Sequence, residues 1–171
     1  MHRTLAALTL TSLALASPRA EAGMAGGERK FGLGFMLGEP TAVTAKFYFA
    51  DPKNAIDTAI ATDFDYGGFY GHVVYLWHHS VLATESDFDL GWHVGVGGAI
   101  ADGWYGWHWG NHGHYYSYYD DFALAARIPI GLDMDLNKAP LQIFGNLALN
   151  LWVTAGMEAD LGAAFGLRYY F

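Results

Sequence analysis

From residue 31 onward, apolar and polar or small residues alternate along the chain, the period of a β-strand with two unlike faces. Eight such segments can be counted. The first, about Phe31 to Leu37, sets Phe31, Leu33, Phe35 and Leu37 against Gly32 and Gly34, and "GEP" turns it. The second, Thr41 to Phe49, opposes Val43, Ala45, Phe47 and Phe49 to Thr44, Lys46 and Tyr48, and ends at "ADPKN". The third runs from Ala55 to about Phe64, with Ile56 and Ile60 opposite Asp57, before "DYGG". The fourth begins near Phe69 and reaches as far as Leu82, with Val73, Tyr75 and Trp77 opposite His72; "ATESD" then reads as a turn. The fifth, Phe88 to Ile100, places Leu90, Trp92, Val94 and Val96 against Asp89, Gly91, His93, Gly95 and Gly97. The sixth, Phe122 to Leu132, opposes its apolar residues to Arg127 and Pro129, and the seventh, Leu141 to Leu151, opposes leucines and Ile143 to Gln142, Asn146 and Asn150. In the eighth, Leu161, Ala163, Phe165, Leu167, Tyr169 and Phe171 share one face, and Asp160, Gly162, Ala164, Gly166, Arg168 and Tyr170 the other. An all-β, eight-stranded antiparallel up-and-down barrel is the expected fold.

Alternation does not say which face points inward, because a soluble lipocalin-like barrel alternates equally well. Composition breaks the tie. Of the 171 residues, 53% are hydrophobic and only 15% charged, against roughly 25% in a soluble domain. The face opposite the apolar one is mostly Gly and Ala with isolated polar groups, which suits a lumen that side chains only just fill. With an even strand count both termini share one end, and Phe31, Phe47, Phe49, Tyr75, Trp77, Trp92, Tyr169 and Phe171 gather at that edge as an interfacial girdle would. Most segments approach the roughly 9 to 11 residues of a tilted membrane-crossing strand.

The opening of the chain changes the expected compartment. A basic start, the apolar run Thr4 to Ala16 and the small-x-small "AEA" at Ala20 to Ala22 read as a cleaved signal peptide over residues 1–22, leaving 23–171 as one barrel domain. The run is too short for a transmembrane helix. Losing Arg3, Arg19 and Glu21 leaves 7 of 9 basic and 16 of 17 acidic residues, a formal charge of about −9, so nucleic acid is not an expected partner. There are no cysteines, which excludes disulfides and thiolate chemistry.

The terminal alternation closing on Tyr169 and Phe171 resembles the assembly signal of Gram-negative outer-membrane β-barrels, and eight strands sets the chain beside the small OmpA/OmpX-type barrels. "GLGFMLGEPTAVTAKFYF", "VVYLWHH" and "GLRYYF" are similar to a group of small outer-membrane barrels in the cell envelope. The resemblance implies periplasmic termini, periplasmic turns at "ADPKN", "ATESD" and "NKAP", and outer loops at "GEP", "DYGG", 101–121 and 153–159. It also implies outer-membrane lipid, lipopolysaccharide and the barrel-assembly machinery as partners, a monomer, and no catalytic motif or cofactor.

Two sets of residues invite chemistry. Lys46, Arg127 and Arg168 are expected to face Asp57 and Asp89 inside the barrel, with His72, His93, Gln142, Asn146 and Tyr170 nearby, either as a plug that fixes register or as the lining of a narrow pore. The loop 101–121 carries Trp104, Trp107, His108, Trp109, His112 and His114, and loops of that length commonly carry function. It is expected to be an aromatic hairpin extending strands five and six. A sugar or lipopolysaccharide surface is the alternative, and a metal site is not favoured because no carboxylate or thiolate spacing supports the histidines. "WHHSV" raises the alternative of an enzyme: His78 and Ser80 share a face, and with Glu85 they resemble the constellation of lipid A deacylases. The implied topology puts them on the periplasmic side, away from lipid A in the outer leaflet. The expectation is therefore a non-catalytic, porin-like barrel with a structural or surface-interaction role.

Overall fold

The computed structural model of the protein describes residues 29–62, 68–79, 81–102, 105–110, 113–118, 122–154 and 158–171. The expected signal peptide, residues 1–22, lies outside these. Eleven strands are described: β1 (Phe31–Gly38), β2 (Ala42–Tyr48), β3 (Asn54–Thr62), β4 (Phe69–His78), β5 (Ala83–Thr84), β6 (Phe88–Asp102), β7 (Tyr105–Gly110), β8 (Gly113–Tyr118), β9 (Ala123–Leu136), β10 (Leu141–Trp152) and β11 (Glu158–Tyr170). No described helix is long and apolar enough to cross a membrane.

β1, β2, β3, β4, β6, β9, β10 and β11 pair in that order, each antiparallel to the next, and β1 pairs β11 to close the ring. The closing register sets Phe35 against Leu167 and Gly32 against Tyr170. Past the last strand, the amide of Phe171 donates to the Phe31 carbonyl at 2.9 Å. Closure leaves no free sheet edge in the ring. At one end lie Phe171 and the β2–β3, β4–β6 and β9–β10 connections, hereafter the terminal end. The β1–β2, β3–β4, β6–β9 and β10–β11 connections form the opposite, loop end. β7 and β8 make a separate two-stranded hairpin within the β6–β9 connection.

The sidedness is that of an inverted globule. Outward residues are large and apolar and remain open, with Phe165 62%, Val43 60% and Val73 57% exposed, whereas Lys46 and His93 inside are fully buried. Inward positions toward the loop end are small: Ala59, Ala61, Ala99, Ala101, Ala123 and Ala125 pack around Met36, Tyr70, Phe144 and Trp152. A narrow ring cannot seat bulk from every strand at one level, so alanine and glycine make room for a few large residues.

The main departures from the sequence-based boundaries lie in β9, in β4 and in the turn that follows β4. β9 continues to Leu136 because Asp133 and Asp135 keep the inward alternation that Leu132 was expected to end. β4 stops at His78, and the "ATESD" turn contains the short strand β5, whose Ala83 and Thr84 pair with Leu90 and Asp89. Beyond it the Glu85 amide donates to the Phe88 carbonyl at 2.9 Å, closing a tight hairpin.

The glycines on the inner face are not equivalent. A Cβ at Gly97 would come within 2.1 Å of the Val73 carbonyl oxygen and 2.5 Å of the Val74 Cα, backbone atoms that cannot turn aside, whereas a Cβ at Gly91 would meet nothing within 4 Å. Gly97→Ala is expected to lower stability by about 1–3 kcal/mol and Gly91→Ala to stay within about 0.5 kcal/mol. Urea titration of the folded form in detergent micelles separates the two variants.

Candidate functional site

Period-two alternation on a closed ring delivers polar side chains from seven strands to one lumen. Among the residues singled out from sequence, Lys46, Asp57, His72, His93, Arg127, Gln142, Arg168 and Tyr170 are buried inside, and Asp89 and Asn146 are partly so. The inner face of β2 adds Thr44 and Tyr48, that of β4 His78, and that of β9 Asp133 and Asp135.

Two ion pairs organise this set. Arg168 on β11 donates through Nη2 to both oxygens of Asp57 on β3, at 2.8 and 2.7 Å, and to Thr44 Oγ1 at 2.8 Å. Its guanidinium lies 3.7 Å from the centroid of the Phe144 ring, so one face of the cation is covered by an aromatic. Lys46 on β2 donates to Asp133 Oδ2 on β9 at 2.9 Å. In the eight-strand ring these two strands stand diametrically opposite, so the pair spans the lumen. Asp133 Oδ2 also lies 2.7 Å from His93 Nδ1 and 3.3 Å from His78 Nε2.

Neutral groups join the pairs into one network. Gln142 Nε2 donates to Asp135 Oδ1 at 2.8 Å, and its Oε1 accepts from the Tyr170 hydroxyl at 3.1 Å and from Arg168 Nη1 at 3.3 Å. Asn146 Oδ1 lies 2.9 Å from His93 Nε2. A second cluster sits nearer the loop end, where Arg127 donates to Asn150 Oδ1 at 2.8 Å and Asn150 and the Trp152 indole both donate to Asp160. Tyr70 and His72 meet there at 3.3 Å.

Of the expected set of Lys46, Arg127 and Arg168 facing Asp57 and Asp89, Arg168 meets Asp57 and the others find different partners. Lys46 takes Asp133, on the far wall, although Asp57 is its register partner on the neighbouring strand. Asp57 is already gripped by Arg168. Asp89 Oδ1 has no hydrogen-bond partner among the described residues. Sequence reasoning missed Asp133, Asp135, Asn150 and Asp160 as site residues. The signal was present for the first two, since "LDMDL" continues the alternation of β9 for four residues past Leu132.

The loop residues stand apart. The backbone of β7 and β8 pairs Trp107 with Tyr116, His108 with Tyr115 and Trp109 with His114. Trp104 and His112, and the side chains of Trp107, His108, Trp109 and His114, lie outside the described residues, as does Ser80. His78 turns into the lumen toward Asp133 and Tyr48.

On the outer surface, aromatic rings line the terminal end: Tyr169 touches Phe171, which approaches Phe31, and Phe47, Phe49, Tyr75 and Trp77 follow in sequence at centroid separations of 5.0 to 6.1 Å. Trp92 stacks on His79 at 4.4 Å. Gly145 on the outer face of β10 opens a furrow of about 960 Å³ flanked by Trp92, Leu132, Ile143, Leu147 and Phe165.

Breaking a buried ion pair strands the remaining charge, which costs about 3–5 kcal/mol, whereas replacing both members by apolar groups restores most of that. Arg168→Met alone is therefore expected to destabilise the barrel by that amount, and Asp57→Leu together with Arg168→Met to recover the larger part. Denaturant midpoints of the three proteins in micelles check the ordering.

No protein-family model and no curated protein matches the chain. Among solved structures it is similar to the crystal structure of the N-terminal β-barrel domain of Pseudomonas aeruginosa OprF, at a TM-score of 0.52 and 12% identity, over 83% of this chain and 96% of that one. Its fold is thus a closed eight-stranded antiparallel barrel like that of the OprF domain.

Proposed function

We propose that the protein is an integral outer-membrane barrel, exported behind residues 1–22, with a structural or surface-interaction role and no catalytic activity. The observation that carries this reading is the inversion of the barrel. Large apolar residues are exposed around the outside while lysine, arginine and aspartate are buried within. In water such a surface would be an aggregation liability far larger than the few hundred Å² of apolar patch common on monomers. In lipid it is a solvated one, and the closed hydrogen-bonded ring meets the requirement that every backbone group be paired there.

The aromatic rim supports the same reading, because Trp and Tyr favour the headgroup level. Outer-membrane lipid and lipopolysaccharide would then be the direct neighbours of the belt, the furrow beside Gly145 would take acyl chains, and the barrel-assembly machinery would act during insertion on the strand ending at Tyr169 and Phe171. A role as a closed plug is favoured over a pore by Lys46–Asp133, which spans the lumen between opposite walls, and by Arg168–Asp57, which bridges β11 and β3 over the intervening β1 and β2. A lipid A deacylase is disfavoured by His78, whose Nε2 faces Asp133 and Tyr48 inside the barrel.

Expression of the full chain followed by fractionation is expected to recover it in outer membranes, with different gel mobility before and after boiling, and reconstituted bilayers are expected to show no discrete conductance steps. A soluble protein of unshifted mobility would remove the membrane reading, and stepwise conductance would replace the plug with a pore.

A further inference from the structure

We infer that the lumen holds a divalent metal site formed by His78 Nε2, His93 Nδ1 and Asp133 Oδ2. Three adjacent strands, β4, β6 and β9, bring these atoms together, and all lie within 4.8 Å of one another. The carboxylate oxygen is 2.7 Å from one imidazole nitrogen and 3.3 Å from the other. Ligand bonds of about 2.0–2.2 Å, as zinc makes to imidazole and carboxylate, place neighbouring ligand atoms about 2.8–3.5 Å apart; the 3.3 Å separation lies in that range, and the 2.7 Å one, a hydrogen-bond distance, has only to widen slightly to admit the ion. Two imidazoles and one carboxylate with further positions open suit zinc and other borderline divalent ions better than magnesium or calcium.

The surroundings carry the inference further. Asn146 Oδ1 lies 2.9 Å from His93 Nε2, where it can accept a proton on that nitrogen and free the Nδ1 lone pair for a metal, the Nδ1 proton otherwise shared with Asp133 being released on binding. An outer carbonyl that fixes the tautomer in this way is the usual support for a metal-binding histidine. Asp133 is almost completely buried, yet its Oδ1 has no hydrogen-bond partner among the described residues, and neither has Asp89 Oδ1. Asp135, the register partner of Asp89, adds a third carboxylate to this end of the lumen. Lys46 answers one of the three. There is also space: Gly91, the register partner of Asp133, faces the lumen with nothing within 4 Å of where its Cβ would stand. His78 retains 11% side-chain exposure at the end of β4, which gives the site a way in from the terminal end.

Lys46 sets the condition for binding. Its ammonium lies 2.9 Å from the same Oδ2, so an arriving metal displaces it from that oxygen. The ion pair and the metal are alternative occupants of one carboxylate, and removal of the lysine charge strengthens metal binding. This inference rests on the closed barrel alone and holds wherever the barrel resides.

The test is a zinc titration of the chelator-stripped, folded chain in micelles, against a competing chromogenic chelator, with His108, His112 and His114 replaced by alanine so that the loop contributes nothing. One equivalent of zinc is expected to bind. Affinity should fall at least about tenfold in His78→Gln and in His93→Gln and rise in Lys46→Met, while His72→Ala leaves it unchanged. Heat-modifiable mobility certifies the fold of each variant, and should His93→Gln fail to fold, His78→Gln at the rim decides. Absence of saturable binding, binding indifferent to the His78 and His93 variants, or no gain in Lys46→Met would each overturn the site.

Discussion

Lys46 and Asp133 stand on strands that face each other across the barrel, and their ion pair draws the two walls together where no backbone bond connects them. A buried charge is tolerated only when paired and hydrogen-bonded, so each cation inside dictates what must stand opposite it. Arg168 claims Asp57, which sends Lys46 across the lumen, and Asp133 in turn gathers His93 and His78. Slipping any strand by one residue would turn its charged face outward and its leucines in. The charges thus specify register even where their net contribution to stability is small.

That partition also fixes what can surround the molecule. With the polar groups consumed by one another inside, the outer wall is left to Phe, Leu, Ile and Val, each of which gains about 1.5–3 kcal/mol on full removal from water. A lipid environment supplies that gain for the whole belt without a protein partner. The inner glycines and alanines belong to the same economy of space, since a ring of eight strands has room for buried ion pairs and a few rings only because its other inward positions are small.

Much of this was legible in the chain. All eight barrel strands follow from period-two alternation, and the inward assignment of Lys46, Asp57, His93, Arg127, Gln142 and Arg168 follows from the same count, because in a strand the position of a residue fixes its face. Who meets whom was not legible. Pairing across the lumen depends on the stagger and tilt that closure imposes, so Lys46 finds Asp133 on the opposite wall rather than its register neighbour Asp57. The contribution of Asp133 and Asp135 was lost by ending strand six at Leu132, where "DMDL" looks like the start of a polar turn. The convergence of His78, His93 and Asp133 is invisible in sequence for the same reason, since their strands become neighbours only in the folded ring.

The central claim is that the apolar face of the barrel meets lipid and the charged face is sealed within. Because the chain has no cysteine, single cysteines carrying a nitroxide label can be introduced at Val43, Ile60, Val73 and Ile130 on the outer wall and at Ala99 on the inner one, and the folded proteins reconstituted into liposomes. Relaxation by oxygen, which concentrates in the bilayer, is predicted to be strong at the four outer positions and relaxation by a water-soluble nickel complex weak, with both weak at Ala99. Strong nickel relaxation at the outer positions would contradict the account and return the apolar face to water.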